Sequence, residues 1–193
     1  MMKKVIISKK HIPIFIILGL LLFLALGFFF IRRYNSFDLN IKENIIITSS
    51  AFEDGGTIPK KYTGQGEDIS PDFLLSSVSP EAKSIAIIMD DLDFPMGVYN
   101  HWVIWNIPVM EQIPAAIPHG EKVEALNDAI QGIGYGKHKY KGPNPPFGSH
   151  RYQYKIYVLD TLLDMESDSG KRDLLKKMEG HVLQYGSITG KFK

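Results

Sequence analysis

The 193-residue chain contains no cysteine. This absence excludes disulfide bonds, thiolate metal sites, a cysteine nucleophile and a lipidated N-terminal cysteine. It leaves the cellular compartment open, because a domain without disulfides is at home on either side of a membrane. Histidine is also scarce. Of the six histidines, His11 lies beside an apolar segment, so five are left for the chemistry of a folded domain.

Acidic residues are missing from the start of the chain. Residues 1–33 hold six of the 22 basic residues and none of the 21 acidic ones, so residues 34–193 carry a net charge of −5. Sequence-independent binding of nucleic acid requires a basic face for the phosphates. We therefore expect no nucleic-acid partner.

A long uncharged run follows the basic N-terminus. As a helix, residues 12–31 would span about 30 Å, the thickness of the hydrocarbon core of a bilayer. The run is longer than the apolar region of a cleaved signal peptide and has no Ala-x-Ala-like site after it. We interpret it as an uncleaved single-span anchor, with a cleaved signal peptide as the alternative. Four lysines precede it and two arginines follow it, which predicts a cytoplasmic N-terminus and an extracytoplasmic domain.

The chain is therefore divided into a basic N-terminal segment (1–11), a transmembrane anchor (12–31), a tether (32–44) and a domain (45–193). Within the domain, short apolar runs alternate with clusters of Gly, Pro, Asn and Asp, which predicts an all-β sandwich or barrel. We predict strands at 45–49, 73–75, 84–89, 101–107, 152–159 and 181–193. One amphipathic helix is predicted at 171–179, and residues 121–130 are a weaker helix candidate.

The stretch 89–108 is the first candidate for a functional site. The predicted strand that ends at Met89 leads into three aspartates, Asp90, Asp91 and Asp93, and His101 opens the next predicted strand. Carboxylates at the end of one strand and a histidine at the start of the next would face each other across a single loop. Taken alone, the aspartates are more typical of a solvated turn, and His101 of a hydrogen-bonded strand end.

The loop at 142–152 is the second candidate. Three prolines and two glycines within seven residues restrict its conformational freedom, which lowers the entropy lost when a ligand binds. His150 and Tyr152 share one face of the strand that begins there, and Arg151 takes the other. If that face is the one that His101 uses, the site contains Asp91, Asp93, His101, His150 and Tyr152.

Three motifs, in this order, resemble the phosphatidylethanolamine-binding proteins, and most closely their bacterial Raf-kinase-inhibitor-like branch. They are DDxDxP at 90–95, HWVxxNIP at 101–108 and GPxPPxGxHRY at 142–152. The resemblance covers about 45–193. It implies a mostly β fold, an antiparallel β-sandwich with Greek-key-like connections and a peripheral C-terminal helix, here preceded by one transmembrane helix. It also implies a binding protein for phosphate-type anions or phospholipid head groups that uses no metal or organic cofactor.

The resemblance assigns roles to individual residues where the motifs match. The implied ligand-binding residues are Asp91, His101, His150 and Tyr152, with Pro145 and Gly148 shaping the wall and Asp93 as a further candidate. A histidine and a tyrosine hydroxyl can donate hydrogen bonds to phosphate oxygens, and an aspartate can hold a histidine in the required tautomer. We therefore expect binding to strengthen as the pH falls through the pKa of a pocket histidine.

The chain departs from the family pattern at three positions. Leu92 stands where proline is usual, which should loosen the Asp91 loop, and Asp68 and Asp72 replace a usual asparagine and a usual proline. Tyr99 is the candidate for an aromatic pocket residue from the short loop 96–100. These departures bear on ligand affinity and ligand size, and none of them removes a pocket residue.

Two other classes of function would use the same residues differently. Two histidines and one or two aspartates can form a water-activating metal site or an acid/base pair, as in a hydrolase. The chain has neither an H-E-x-x-H motif nor a G-x-S-x-G motif, so we predict a binding protein and not an enzyme. The third class is a protein-interaction or inhibitor domain with a vestigial pocket. The sequence leaves the physiological ligand, any protein partner and the oligomeric state open.

Overall fold

A computed structural model describes residues 14–35 and 37–193, and its first element is the long apolar helix α1, Ile14–Asn35. The segment Ile16–Asn35 is long and apolar enough to cross a membrane, with a hydropathy of 2.2, and none of it is buried against the rest of the protein. The predicted basic segment 1–11 and the first two positions of the predicted anchor lie outside the described residues.

The described part of the chain forms nine strands in two antiparallel sheets. The smaller sheet has the order β1-β2-β5 and consists of β1 (Ile47–Thr48), β2 (Phe73–Leu75) and β5 (Gln112–Ile113). The larger sheet has the order β6-β7-β4-β3-β8-β9 and consists of β3 (Ser84–Asp91), β4 (Tyr99–Ile107), β6 (Lys122–Val123), β7 (Ala129–Gln131), β8 (His150–Leu159) and β9 (Val182–Phe192). The prediction of a mostly β chain is therefore confirmed.

The six-stranded sheet has an apolar cluster on each of its faces. On one face, Ile87 and Met89 pack in a cluster with Phe73 of the smaller sheet. On the other face, Ala86 and Ile88 pack with residues of the helix that follows β8. Because β3 is covered on both sides, all eight of its residues are buried, and its sequence is a continuous apolar run before the aspartates.

The second helix, α2, covers the outer face of this sheet at Lys171–Met178. Its buried residues Leu174, Leu175 and Met178 lie on one side, as the amphipathic spacing predicts. Gly180 follows the helix with a φ of +81°, a conformation that glycine adopts without strain. The predicted C-terminal helix is therefore confirmed.

The weaker helix candidate at 121–130 is not an α-helix. This segment contains β6, a short 3-10 helix at Glu124–Leu126 and the start of β7, which pairs with β4. Asn127 and Asp128 both have positive φ values, 51° and 59°, and these left-handed conformations break the helical path. The pairing of β7 with β4 on one side and β6 on the other then satisfies its backbone hydrogen bonds.

The residues predicted as a tether are divided between two environments. Positions 32–35 continue α1, whereas Phe37 and Leu39 pack against the apolar cluster under α2. Asn44 exchanges backbone and side-chain hydrogen bonds with Tyr185 of β9. Much of this segment therefore lies along the outer face of the larger sheet.

Candidate functional site

The register of three neighbouring strands assembles the centre of the candidate site. Asp91, the last residue of β3, pairs with Tyr99 of β4 on one side and with Tyr152 of β8 on the other. The strands extend further than predicted: β3 continues to Asp91, and β4 and β8 each begin two residues earlier. Asp91 therefore belongs to a strand and not to a loop, and its fixed neighbours are two aromatic rings.

An irregularity in β4 brings His101 onto the same face. The pairing of β3 with β4 shifts between Met89, which is opposite Trp102, and Asp90, which is opposite Asn100, so His101 is the extra residue of a β-bulge. Such a bulge redirects a side chain and often occurs beside a functional site. Here it places His101 in contact distance of Tyr152, with 5.3 Å between ring centroids.

His150 forms a hydrogen bond with the buried carboxylate of Asp91 from outside the pocket lining. The Nδ1 of His150 lies 2.7 Å from one carboxylate oxygen, and the backbone N–H of Asp93 donates to the other at 2.9 Å. Asp91 is 4 % exposed. Because both oxygens are engaged, the carboxylate is fixed in orientation.

The ring of His101 is held in one tautomer by a backbone carbonyl. Its Nδ1 lies 2.8 Å from the carbonyl oxygen of Lys141, which can only accept, so Nδ1 carries a proton and Nε2 is left for a ligand. Burial lowers the pKa of His101 below its ordinary value, although the Lys141 carbonyl and the charge of Asp91 act in the opposite direction. At neutral pH the ring is therefore mainly uncharged.

Asp68, one of the departures from the family pattern, supports this arrangement from outside. Its carboxylate forms an ion pair with the side chain of Lys141 and accepts a hydrogen bond of 2.7 Å from the backbone N–H of Gly142. Gly142 has no room for a side chain, since a Cβ there would lie 2.4 Å from the carbonyl oxygen of Tyr62. Asp68 thus fixes the segment whose carbonyl orients His101.

Asp91, His101 and Tyr152 line a pocket of about 240 Å³. Its lining consists of Asp91, Phe94, Tyr99, His101, Tyr135, Asn144, Pro145, Pro146 and Tyr152. Burial and the nearby Asp91 charge raise the pKa of Tyr152 well above its ordinary value, so its hydroxyl keeps its proton and can donate to a ligand. The pocket thus combines hydrogen-bonding groups with an apolar, aromatic wall, as small-molecule sites commonly do.

The structure separates the other predicted residues from this lining. Asp93 lies outside it and forms a two-pronged ion pair with Arg151, whose hydrogen bonds lower the pKa of Asp93. His150 contacts the pocket only through Asp91 and the stacked ring of Tyr152. Gly148 is also outside the lining, in a loop where its φ of +69° suits glycine.

Asp90 faces the opposite side of the sheet, as strand alternation requires. It is fully buried there and accepts hydrogen bonds from the ammonium groups of Lys155 at 3.0 Å and Lys171 at 2.7 Å. Burial alone would raise the pKa of Asp90, but the two cations outweigh it and the pKa lies below its ordinary value. A further carboxylate, that of Asp38, pairs with Lys155.

Sequence reasoning missed several of the lining residues. Tyr135 and Phe94 lie in loops, and their aromatic character alone does not distinguish them from other exposed rings. Tyr99, the sequence candidate for an aromatic pocket residue, does line the pocket, with its ring centroid 4.8 Å from that of Phe94 and 5.6 Å from that of Tyr135.

A second cavity, of about 350 Å³, lies beyond the wall formed by Tyr99 and Tyr135. It is bordered by the end of α1 and the start of α2, and it contains neither Asp91 nor His101 nor Tyr152. The smaller pocket is the candidate functional site, because the hydrogen-bonding groups converge there. Across residues 14–35 and 37–193, no three His, Asp or Glu side chains are grouped so as to hold a metal ion.

The fold is that of a mostly β protein with a small pocket at the end of its central strands. The profile of the family described as phosphatidylethanolamine-binding protein matches residues 48–193. The chain belongs to this family, and the resemblance predicted from the three motifs is confirmed.

Relatives are found in archaea and bacteria. The chain is 42 % identical over 154 residues to a UPF0098 protein of Pyrococcus abyssi, a match that covers 78 % of this chain and 86 % of that protein. It is 45 % identical over 146 residues to a UPF0098 protein of Archaeoglobus fulgidus, covering 75 % of this chain but only 50 % of that longer protein.

Two solved structures have the same fold. One is a homologue of phosphatidylethanolamine-binding protein from Chlamydia trachomatis, with 33 % identity, a TM-score of 0.69, and coverage of 79 % of this chain and 99 % of that one. The other is YbcL of E. coli, described as a member of the mammalian family, with a TM-score of 0.70 and coverage of 77 % and 98 %. At 24 % identity the second likeness concerns the fold alone.

Proposed function

We propose that this protein is a membrane-anchored binding protein whose pocket takes a phosphate-type anion or a phospholipid head group. The observation that carries the proposal is the convergence of Asp91, His101 and Tyr152 on one pocket, with His150 fixing Asp91. The Tyr152 hydroxyl donates to a phosphate oxygen at any physiological pH, and His101 donates through Nε2 once its ring is protonated.

The same pocket suits the amine of a zwitterionic head group. Phe94, Tyr99 and Tyr135 present aromatic rings to it, and the faces of such rings attract an ammonium group. The negative charge of Asp91 adds to this attraction. A phosphoethanolamine head group would therefore find donors for its phosphate and a negative environment for its amine.

The anchor in this proposal is α1. Its large apolar side chains are exposed along its length, with Phe23 73 % and Leu24 65 % exposed, and a surface of this kind is stable in lipid and not in water. The four lysines before the apolar run outnumber the two arginines after it, and this excess favours an extracytoplasmic domain. We further propose that the two antiparallel sheets form a sandwich with Greek-key-like connections.

The test is a titration of the full-length protein in dodecyl maltoside micelles, a detergent that carries no phosphate. Phosphate and phosphoethanolamine are added while the histidine ring signals are followed by NMR. We expect the His101 and His150 signals to shift together and His150→Ala to abolish saturable binding. His181→Ala is the matched control, because His181 is a half-exposed surface histidine that pairs with Asp160.

The other outcomes distinguish the other classes of function. If neither the His101 nor the His150 ring signal shifts on addition of phosphate or phosphoethanolamine, the proposal is contradicted. If zinc nevertheless broadens both ring signals, a metal-dependent hydrolase is favoured. If no small ligand and no metal ion changes the ring signals, a protein-interaction or inhibitor domain with a vestigial pocket is favoured.

A further inference from the structure

The rim of the pocket is attached to the end of α1. The side-chain amide of Asn35, the last residue of α1, donates a hydrogen bond of 3.1 Å to the backbone carbonyl of Met96. Gly97 lies against the backbone of Arg32, where a Cβ would approach the Arg32 carbonyl oxygen to 2.9 Å. Phe94, in the same loop, lines the pocket. One short loop therefore connects the pocket to the helix end.

Exposed apolar side chains lie in the pocket lining or within two residues of it in the sequence. Phe147 is 86 % exposed, and it directly follows Pro146 of the pocket lining. Tyr135, another lining residue, is 52 % exposed, and Met96 is 39 % exposed. A phenylalanine held out by a proline-rich loop loses little conformational freedom when it enters an apolar phase.

The charges next to this rim suit a surface of lipid phosphates. Arg32 and Arg33 are exposed in the last turn of α1, and Lys137 is exposed two residues after Tyr135. Aromatic residues together with lysine and arginine are the side chains that favour the boundary between lipid head groups and acyl chains. The pocket rim and the end of α1 therefore both favour the head-group region of a bilayer.

We propose that the pocket rim, defined as Met96, Tyr135 and Phe147, docks on the head-group layer of the leaflet at which α1 ends. The pocket would then open towards that leaflet and take its ligand from the lipids there, not from a soluble pool. This inference rests on the proposed function, because it needs both the anchor and the pocket. A helix that ends in Arg32 and Arg33 places its last turn in the head-group layer, and the loop bound to that turn lies at the same depth.

Site-directed labelling tests the docking directly, because the native chain has no cysteine. A nitroxide is attached to Phe147→Cys in the full-length protein, reconstituted in vesicles of phosphatidylethanolamine and phosphatidylcholine. Leu162→Cys is the matched control: Leu162 is 63 % exposed and lies just beyond the end of β8 that is remote from His150. Leu20→Cys, within α1, reports whether the helix enters the bilayer.

We expect the label at position 147 to lose collisions with a water-soluble nickel chelate and to gain collisions with oxygen, as the label at position 20 does. The label at position 162 should stay fully accessible to the chelate. A label at position 147 as accessible as the one at position 162, in vesicles where position 20 is immersed, would refute the docking. Exposure of position 20 would refute the anchor, and with it the inference.

The same variants separate this inference from the proposed function. Each is also titrated with glycerophosphoethanolamine in detergent, where no bilayer is present. If the His101 signal shifts with this soluble ligand while the label at position 147 is exposed to water in vesicles, the proposed binding function is supported and only the docking is refuted. An immersed label at position 147 without any response of His101 would support the docking and contradict head-group binding.

Discussion

Proton uptake by His101 should control the affinity of the pocket for anions. The Nδ1 proton is committed to the Lys141 carbonyl, so Nε2 of the neutral ring is an acceptor that faces the acceptor oxygens of a phosphate. Only the protonated ring donates to them. Because burial lowers the pKa of His101 below its ordinary value of 6.5, the free protein must take up this proton when an anion binds near neutral pH.

The size of the effect follows from linkage between proton and anion. Affinity rises by at most about tenfold per pH unit as the pH falls from the pKa of the bound state to that of the free state. Two unit charges about 4 Å apart attract by about 4 kcal/mol at an effective dielectric constant of about 20, which corresponds to about three pKa units. The Asp91 carboxylate opposes part of this attraction, so we expect affinity to rise about 10- to 100-fold between pH 8 and pH 5.

The assay is calorimetric titration with glycerophosphoethanolamine, in two buffers that differ in ionisation enthalpy. A phosphodiester keeps one negative charge over this range, whereas a phosphate monoester changes its own charge near pH 6. His101→Asn is the control variant, because its amide can still donate to the Lys141 carbonyl but does not titrate. Flat affinity of the native protein, or an equal pH dependence in the variant, would refute this role of His101.

Two further predictions concern stability and are measured by urea denaturation of the full-length protein in micelles. Asp38→Asn should lower the free energy of unfolding by about 1.5–3 kcal/mol, because it removes a charged partner from Lys155, whose side chain is 5 % exposed. Asp93→Asn, in an exposed ion pair, should lower it by less than about 1 kcal/mol, and equal effects would contradict the argument. Tyr140→Phe should be more destabilising than Tyr154→Phe, because the Tyr140 hydroxyl bonds both to that of Tyr154 and to a backbone carbonyl; a reversed order would refute that reading.

The sequence grouped the candidate site residues but did not indicate the separate positions of the three aspartates. Asp90, Asp91 and Asp93 form one acidic cluster in the sequence. In the structure they lie in three different environments: a buried charge cluster, the pocket and an exposed ion pair. Alternation along β3 places Asp90 and Asp91 on opposite faces, and this follows from the sequence once the strand is known to continue. The sequence pattern ended the strand at Met89, because carboxylates are unusual inside a buried strand. The partners that make them stable there, Lys155 among them, are remote in sequence.

Long-range contacts explain the other differences. The bulge at His101 results from how β4 pairs with β3, and no local pattern in HWVIWN indicates it. Tyr135 reaches the pocket because the backbone N–H of Tyr135 donates to the carbonyl of Asn100 and that of Gly136 to the carbonyl of His101. In contrast, the family resemblance implied Pro145 and Gly148 as wall residues, and of these two only Pro145 lies in the pocket lining.

The end of α1 and the segment that follows it make contacts on both sides of the pocket strand. Asp91 faces the pocket, and its neighbour Asp90 joins the buried charge cluster on the opposite face. Asp38, three residues beyond the end of α1, completes that cluster by pairing with Lys155, while Asn35 holds the loop at the pocket mouth. Lys155 and the partly buried Lys171 opposite Asp90 alone would leave an excess positive charge in a place with little water, and the carboxylate of Asp38 balances it. We therefore expect residues 37–44 to be part of the folded domain, and the Asn35–Met96 hydrogen bond to hold the loop at the pocket mouth next to the end of α1.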